Sequence, residues 1–526
     1  MAAVDRRRFL GAAGATAGAA VLGACVPRPT PDYPLQSGVP FEGTGPYPSG
    51  VGSGDPTDSA VLLWTRANPS LDTGSGVQLD VEVSRTPSFG ADVVAVLSAV
   101  AVREHDHCVT VDATGLEPST TYWYRFTHGP HTSRVGRTRT APDPLDREAR
   151  VRVAAFSCQR WTHGWYTAHA DLASLAADPA TDVDLVLSLG DYIYETGFAD
   201  KVFVPGREDP VQRAVTLEEF RGKYRMYRSD PNLQDVHALY PMVCIFDNHD
   251  GLFEPGDPQG PAAVRAFFEH LPVRAPAPGR IDRRLRWGRN FDLFMTDQRS
   301  FRDLRPPSGG LLGTSTEDRP EILDPSRSIL GLAQREWLID GLTGSDADWR
   351  LIGSQLMFWP WRSFGRLPGR PRGSGVYLNM TQWDGYVGER LVLLDALEAA
   401  DVRDTVLFSG DSHVFSAAQV APDVDDPSSV PRVLEFGGSS ITSNNADESD
   451  HPQTPITRPL LEAVNPNHLR YFQSERHGYC VAEFTSEDAR VQLRSPSTIR
   501  RPAAARVDVL AEFAVERGSQ RMRRQF

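Results

Sequence analysis

Short apolar stretches separated by turn residues fill the chain between about residues 51 and 140. They are rich in β-branched and aromatic residues and read AVLLWTR (60–66), VQLDVEVSR (77–85), HCVTVDATG (107–115) and TYWYRFTHG (121–129). Gly, Pro, Asp or Ser bounds these stretches, which is typical of short strands joined by turns. Several such strands in succession predict a small all-β sandwich.

The pattern changes near Val151, where strand-like runs begin to alternate with helical periodicity. The segments TLEEFRGKYRMYR (216–228) and GERLVLLDALEAA (388–400) carry apolar residues at helical spacing. Alternating strands and helices predict a layered α/β architecture, which we expect to run to about Ser495. The chain then ends in the polar, basic sequence ERGSQRMRRQF, which we expect to form a frayed tail.

A chain of 526 residues is too long for one ordinary hydrophobic core. We therefore predict four segments along the chain. They are an N-terminal signal and linker (1–32), a β-sandwich (33–143), an α/β domain (147–495) and the basic tail (496–526). Within the second segment, GLEPSTTYWYRF (115–126) resembles the turn and strand of fibronectin-type modules.

Composition limits the partners that the protein can have. Apolar residues make up 40% and charged residues 23%, which indicates a globular chain rather than a disordered one. The formal net charge is −13, so we expect no stable nucleic-acid partner and no bulk attraction to an anionic membrane. After the N-terminus, no stretch is long and apolar enough to span a bilayer.

The N-terminal stretch DRRRFLGAAGATAGAAVLGAC (5–25) places three arginines before a run of small apolar residues. It resembles a twin-arginine export signal, and the alternative is a short amphipathic helix. LGAC (22–25) also resembles a lipoprotein cleavage box, which would make Cys25 the lipidated first residue. We expect the twin-arginine machinery to export the protein to the cell envelope or beyond, with membrane attachment only through Cys25.

Four further cysteines follow, at Cys108, Cys158, Cys244 and Cys480. Disulfides are possible in an exported protein. The wide spacings, however, match no small disulfide framework and no zinc ribbon, so the disulfide state of these cysteines stays open.

Apolar runs in the α/β segment end repeatedly in side chains that can bind metals. VRVAAFSC ends at Cys158, DLVLSLGD at Asp191 with Tyr194 three residues later, MVCIFDNHD at Asp247, Asn248, His249 and Asp250, and DTVLFSGDSH at Asp411 and His413. In open α/β sheets, binding sites form outside the carboxyl ends of the strands. We therefore expect these side chains to converge on one rim of a sheet.

The mixture of donors indicates which metals would suit the site. Carboxylate and amide oxygens favour hard cations such as Ca2+ or Mn2+. A phenolate together with a thiolate favours a strong Lewis acid such as Fe3+, which deprotonates both ligands on binding. The set therefore predicts one trivalent iron beside one or more divalent ions, with Asp191 able to bridge two of them.

Two of these residues, and Arg160 two positions after Cys158, also have simpler interpretations. Cys158 alone would be a small buried apolar residue. His249 could be a core histidine, or it could donate a proton to a leaving oxygen or hold a phosphate. Arg160 could be a surface charge, or its guanidinium could bind two phosphate oxygens. Asp297, Arg299 and Arg302 are expected to form a structural salt-bridge network.

The blocks GDxxY (190–194), NHD (248–250) and GDxH (410–413) resemble those of calcineurin-like metallophosphoesterases, and of purple acid phosphatases especially. GVGSGDPTDSAVLLWTR, FSCQRW, GDYIYE, MTDQRSFRD, WDGY, SGDSH and NPNHLRYFQSERHGY resemble, in that order, blocks of the alkaline phosphatase D (PhoD-like) family. The resemblance covers nearly the whole chain after the signal. It implies a four-layer α/β sandwich preceded by a small all-β domain.

The resemblance also implies a ligand set. Cys158, Asp191, Tyr194 and His413 would hold Fe3+, whereas Asp191, Asn248 and Asp411 would hold Ca2+. One block departs from the family pattern, because many members carry DDHE where this chain has DNHD. Asn248 still offers an oxygen, but one formal negative charge is lost.

The function implied is an exported phosphoesterase that hydrolyses phosphomonoesters, phosphodiesters or both through a metal-bound hydroxide. His249 and Arg160 would be the catalytic residues. One alternative is a phospholipase D-like phosphodiesterase, and a second, from another class, is a non-catalytic envelope-binding lipoprotein. The complete set of donors favours an enzyme, since a pure binding module rarely needs one.

Overall fold

The computed structural model describes residues 44–197, 204–309, 313–445, 459, 461–502 and 506–526. The predicted export signal, the cleavage box at Cys25 and the first linker residues lie outside this part of the chain. Among the described helices, none combines the length and the apolar character needed to cross a membrane.

The structure contains many more strands than α-helices. The strands are β1 Val51–Gly54, β2 Ala60–Arg66, β3 Val77–Ser84, β4 Val93–Ala101, β5 Cys108–Thr114, β6 Thr121–His128, β7 His131–Thr132, β8 Gly136–Arg139, β9 Val151–Phe156, β10 Leu185–Ser188, β11 Pro241–Cys244, β12 Arg283–Trp287, β13 Phe291–Met295, β14 Thr314–Ser315, β15 Trp349–Ser354, β16 Arg362–Phe364, β17 Val376–Tyr377, β18 Thr405–Ser409, β19 Phe415–Val420, β20 Val433–Gly438, β21 Leu469–Gln473, β22 Tyr479–Phe484, β23 Asp488–Pro496, β24 Val507–Glu516 and β25 Met522–Arg524. The main helices are α1 Thr167–Ser174, α2 Leu217–Tyr227, α3 Pro231–Leu239, α4 Gly260–His270, α5 Leu332–Gly344 and α6 Val387–Ala399.

The larger of the two main sheets has ten strands in the order β25-β24-β23-β22-β9-β10-β11-β1-β2-β5. At its centre β9, β10, β11 and β1 run parallel. Strands of this kind are covered on both faces, which is why β9, β10 and β11 read as nearly unbroken apolar runs. The carboxyl ends of these parallel strands therefore lie at one edge of the sheet.

The second main sheet has seven strands in the order β12-β13-β15-β18-β20-β19-β21, and β13, β15, β18 and β20 are parallel. One hydrophobic cluster joins both sheets and includes Leu187, Val243, Leu351 and Val406. Helices α1 to α4 contribute to that cluster, whereas α5 and α6 pack on the other face of the seven-stranded sheet. Two face-to-face sheets between helical layers confirm the predicted four-layer α/β class.

The N-terminal all-β region is also confirmed. One of the two sheets that enclose its core, however, continues into the α/β domain. Strands β4-β3-β6-β7, with β8 on β6, form a separate sheet over a core that includes Val61, Leu79 and Phe126. The opposing strands β1, β2 and β5 belong to the ten-stranded sheet, because Ser53 of β1 pairs in parallel with Pro241 of β11. The exact domain boundaries remain a prediction.

The predicted helix at 216–228 corresponds to α2 and shows how its sequence sets its start. The Thr216 hydroxyl accepts from the Glu219 backbone N–H, and the Glu219 carboxylate accepts from the Thr216 N–H. This capping box satisfies two backbone donors that the first helical turn would otherwise leave unpaired. Helix α2 ends at Tyr227, whose hydroxyl lies beside the site described below.

The prediction that ERGSQRMRRQF (516–526) forms a frayed tail is wrong, and the tail segment predicted for residues 496–526 contains two strands. Strand β24 pairs with β23 from Asp488 opposite Glu516 to Pro496 opposite Val507, and β25 then pairs with β24. Ala511, Phe513 and Val515 alternate with more exposed residues and are fully buried. The strong basic character of the last residues obscured this strand-like alternation in VDVLAEFAV.

Candidate metal centre

The predicted metal-binding side chains follow strands from both sheets. Cys158, Asp191 and Asn248 come after the adjacent parallel strands β9, β10 and β11, and Asp411 and His413 come after β18 of the facing sheet. The strand ends approach closely enough to require glycine at two positions. A Cβ on Gly190 would lie 2.4 Å from Asp247 Cβ, and one on Gly410 would lie 2.9 Å from Ser157 Cβ.

The backbone at these strand ends is strained. Cys158, Asp191, Asp411 and His413 all have left-handed conformations, with φ between 52° and 59°. Such a conformation costs a residue with a Cβ on the order of 1 kcal/mol, and it persists where the surroundings impose it. Four of the six candidate ligands share this strain, and such clustering is typical of a functional site.

One group of donors surrounds a common point. Ligand atoms of Cys158, Asp191 and His413 lie within 4.8 Å of one another. The Tyr194 hydroxyl donates to Asp191 Oδ2 at 2.8 Å and lies 3.4 Å from His413 Nε2. Tyr192 points elsewhere, because its hydroxyl lies 2.8 Å from His237 Nε2. The sulfur, carboxylate, phenol and imidazole predicted as Fe3+ ligands are therefore adjacent.

The protonation states of the Cys158 thiol and the Tyr194 phenol indicate that this group would need a cation of high charge. Burial first, and the Asp191 carboxylate second, raise the pKa of both the Cys158 thiol and the Tyr194 phenol. Both groups stay protonated unless a strong positive charge is placed among them. Burial lowers the pKa of His413 to about 4, and its Nδ1 lies 2.8 Å from the Asn444 carbonyl oxygen. Nδ1 therefore carries the proton, and Nε2 offers its lone pair to the group.

A second group consists of oxygens and contains an unexpected cation. Arg299 Nη2 donates to Asn248 Oδ1 at 2.9 Å and to Asp411 Oδ1 at 3.0 Å, and its Nε donates to Asp247 Oδ1. Arg299 therefore forms salt bridges as expected, but its partners are Asp247 and Asp411 of the donor set rather than Asp297. Arg302 does fit that expectation, because it pairs with Glu254 at 3.0 Å away from the donors.

This second group fits a divalent cation on its own geometry. Two of the three predicted Ca2+ ligands direct an oxygen at one positively charged nitrogen, so the oxygens already converge on a cation. Asp247 Oδ2 is buried and has no hydrogen-bond partner in the described part of the chain. Burial raises the pKa of Asp191 and Asp411, and that of Asp247 to about 6 although the Arg299 charge opposes this.

His249 lies between the two groups and is held on three sides. Its backbone N–H donates to Asp191 Oδ1 at 3.0 Å, and its ring stacks on Tyr194 with centroids 4.2 Å apart. Its Nδ1 lies 2.8 Å from Glu195 Oε2. Burial opposes protonation, but the carboxylates of Glu195 and Asp191 outweigh it and raise the pKa of His249 to about 9. The side chain remains 27% exposed.

Arg160 is buried beside the same tyrosine. Its guanidinium carbon lies 5.2 Å from the Tyr194 ring centroid, and Nη2 lies 3.4 Å from the Thr196 hydroxyl. The interpretation of Arg160 as a surface charge is therefore wrong. Its role as a phosphate ligand stays a prediction.

The sequence analysis did not predict two residues that form hydrogen bonds to His249 and Asp411. Glu195 contacts His249, and Gln382 donates to Asp411 Oδ2 while its own Oε1 accepts from the Met357 N–H at 2.6 Å. Glu195 directly follows the GDxxY block, which was the available signal. Gln382 lies almost 30 residues before Asp411 in the sequence and offered no signal.

Cys108, Cys244 and Cys480 lie outside the two donor groups of this centre. Cys108, Cys158, Cys244 and Cys480 are all buried and free, so none of them forms a disulfide. Asp106, Cys108 and His270 form another close group. Asp106 is already paired with two arginines, and we therefore assign that group a structural role.

Comparisons with known proteins agree with this architecture. Residues 153–493 match the family model of the PhoD-like phosphatase, and residues 37–142 match that of its N-terminal domain. The chain is 31% identical to alkaline phosphatase D of Bacillus subtilis (strain 168), over 99% of this chain and 89% of the relative. A solved structure of PhoD superposes with a TM-score of 0.80 at 28% identity, covering 94% of each chain.

The fold and the comparisons together define a phosphoric ester hydrolase. More specifically, the chain belongs to the PhoD-like phosphatase family. The resemblance expected from the sequence motifs is thereby confirmed over nearly the whole chain.

Proposed function

We propose that the protein is an exported, metal-dependent phosphoesterase that uses Fe3+ and Ca2+ to hydrolyse phosphomonoesters, phosphodiesters or both. The observation that carries this proposal is the meeting of two donor groups at facing strand ends. Cys158, Asp191, Tyr194 and His413 would hold Fe3+, and Asp191, Asn248 and Asp411 would hold Ca2+. Bound there, the metals would supply positive charge to the transferring phosphoryl group and acidify a water molecule.

The surrounding side chains have complementary roles in this proposal. Arg160 would bind phosphate oxygens, since a guanidinium can donate two parallel hydrogen bonds to them. Glu195 would fix the His249 ring with Nδ1 inward, which leaves Nε2 to hold a proton for the leaving oxygen. Both donors lie beside Tyr194, so a phosphate in contact with the first group can reach them.

Metal analysis together with two chromogenic substrates tests this proposal. We expect the purified protein to contain iron and calcium, and to hydrolyse a nitrophenyl phosphate, a bis-nitrophenyl phosphate or both. A calcium chelator should abolish the activity, and added Ca2+ should restore it. The ratio of the two rates then gives the preference for monoesters or diesters. Full activity without iron or calcium would refute the metal assignment.

Two buried cysteines provide a matched pair of variants. Cys158→Ala should lose iron and most activity, because it removes a ligand from the first group. Cys480→Ala removes an equally buried thiol from β22, outside both donor groups, and should retain both properties. Iron content unchanged in Cys158→Ala would exclude the thiolate as a ligand.

Export is proposed from the N-terminal sequence. The twin-arginine route carries folded proteins, which suits an enzyme that acquires its metals before export. Changing Arg6 and Arg7 to Lys should therefore trap the protein in the cytoplasm, whereas normal export of that variant would overturn the proposal. The mass of the mature N-terminal peptide would show whether Cys25 is lipidated.

A further inference from the structure

Arg299 occupies an unusual position for a buried arginine. It follows β13 at the same rim as the candidate ligands, and its side chain is only 3% exposed. Three of its hydrogen bonds go to Asp247, Asn248 and Asp411. Two of these residues are ligands in the predicted divalent site. The guanidinium therefore holds the oxygens that a divalent cation would need.

A guanidinium and a divalent cation cannot share these oxygens without cost. Ca2+ binds oxygens at about 2.3–2.6 Å, which is shorter than the 2.9 and 3.0 Å contacts of Arg299 Nη2. A cation bound to the same two atoms would lie next to Nη2. Two positive charges at such a distance repel strongly inside a protein, where water screens them little.

We propose that Arg299 is an internal competitor for the divalent cation of this centre. Without the cation, Arg299 neutralises Asp247 and Asp411 and keeps their strand ends together. When the cation binds, Nη2 leaves Asn248 Oδ1 and Asp411 Oδ1. Because of this competition, the site binds the divalent cation more weakly than the Asn248 and Asp411 oxygens would without Arg299. This inference rests on the proposed divalent site and concerns its affinity rather than the reaction.

Calorimetric titration with Ca2+ alone tests the inference on full-length protein freed of calcium by a chelator. Arg299→Gln keeps much of the side-chain length and removes the charge. It should bind Ca2+ at least about tenfold more tightly than the unchanged protein, because the charge repulsion is gone. Its calcium-free form should melt at a lower temperature, since two buried carboxylates lose their partner.

Arg302→Gln is the matched control. It removes an equally buried arginine three residues away, which contacts Glu254 and the Phe253 carbonyl oxygen but none of the donors. Its Ca2+ affinity should be unchanged. If Arg302→Gln tightened Ca2+ binding as much as Arg299→Gln does, the effect would come from the loss of any nearby positive charge, and the inference would be refuted. If Arg299→Gln does not fold, Arg299→Met serves instead, because it also removes the positive charge while keeping an unbranched side chain, and it should tighten binding as well.

The outcomes separate this inference from the proposed function. Ca2+ binding by the unchanged protein, with equal or weaker binding by a folded Arg299 variant, would refute only the competition. Absence of Ca2+ binding in every protein would refute both. Tighter binding in the Arg299 variant alone would support both.

Discussion

Asp106 ties the N-terminal all-β region to the helices that flank the site. It lies in the turn before β5 and accepts hydrogen bonds from Arg66 of β2 at 3.0 Å and from Arg225 of α2 at 2.8 Å. His270 Nε2 of α4 lies 3.1 Å from its Oδ2. The side chains of all four residues are at most 7% exposed. One buried carboxylate therefore meets three groups from three different elements.

Asp106→Asn tests how much this junction contributes. The change keeps the shape of the side chain but removes the carboxylate that faces the buried Arg66 and Arg225 charges, and Arg225 then keeps its salt bridge to Glu218. Removing one partner from a buried ion pair typically costs about 3–5 kcal/mol. The amide oxygen still accepts one hydrogen bond, so we expect the free energy of unfolding to fall by about 3 kcal/mol at pH 7.

The loss should depend on pH in a defined direction. Burial opposes ionisation of Asp106, but the hydrogen bond from His270 and the charges of Arg66 and Arg225 outweigh it and lower its pKa. A folded-state pKa below the unfolded value of about 3.9 means that the contribution is complete above that pH and declines as the pH falls below it. The gap between the two proteins should be constant from pH 7 to about pH 5 and shrink below pH 4.

Urea denaturation followed by tryptophan fluorescence measures both effects. Asp112→Asn is the control, because Asp112 on the adjacent β5 pairs with Arg274 where both side chains are more than a third exposed. An exposed pair contributes about 0–1 kcal/mol, so this variant should unfold almost like the unchanged protein. A loss below about 1 kcal/mol in Asp106→Asn, or a gap that persists unchanged into acid, would refute the reasoning.

The remaining predictions concern the centre and the C-terminal strand. Tyr194→Phe should bleach a visible charge-transfer band of the iron-loaded protein, whereas Tyr192→Phe should leave the band intact; the absorption spectrum decides. Glu195→Gln should slow hydrolysis of alkyl phosphates by about tenfold or more and nitrophenyl phosphate much less, because only a poor leaving group needs the proton that Glu195 helps to position. Phe513→Ala should cost about 3–5 kcal/mol in urea denaturation and Phe526→Ala almost nothing, since Phe513 is fully buried and Phe526 is 58% exposed.

The sequence predicted that the donor side chains lie close together, because each of them follows an apolar run. Cys158, Asp191 and Asp411 each come within a few residues of the end of a buried parallel strand, and such strands have a recognisable pattern. Convergence then follows from sheet topology rather than from any long-range contact visible in the sequence. Arg299 also follows a buried strand, β13, and the same argument would have placed it at the rim.

The parts that were missed depend on contacts between distant residues. The junction of the two domains rests on pairing between Ser53 and Pro241, and no local pattern encodes a partner so far along the chain. The support of Asp411 by Gln382 is of the same kind. By contrast, the error at the C-terminus was avoidable, because the alternation around Phe513 was present and the charge beside it was given too much weight.

The strand ends of the candidate centre carry costs that neighbouring residues only partly offset. Left-handed backbone at Cys158, Asp191, Asp411 and His413 amounts to about 1 kcal/mol at each position. Burial raises the pKa of both Asp247 and Asp411, and these two carboxylates share the Arg299 guanidinium. Because a ligand that binds only the folded state stabilises it, cations at this rim would offset the strain as they bind. In the proposed centre, the strained turns that direct the donors inward would therefore couple the stability of the fold to cation binding, and Arg299 would limit that coupling by neutralising part of the same negative charge.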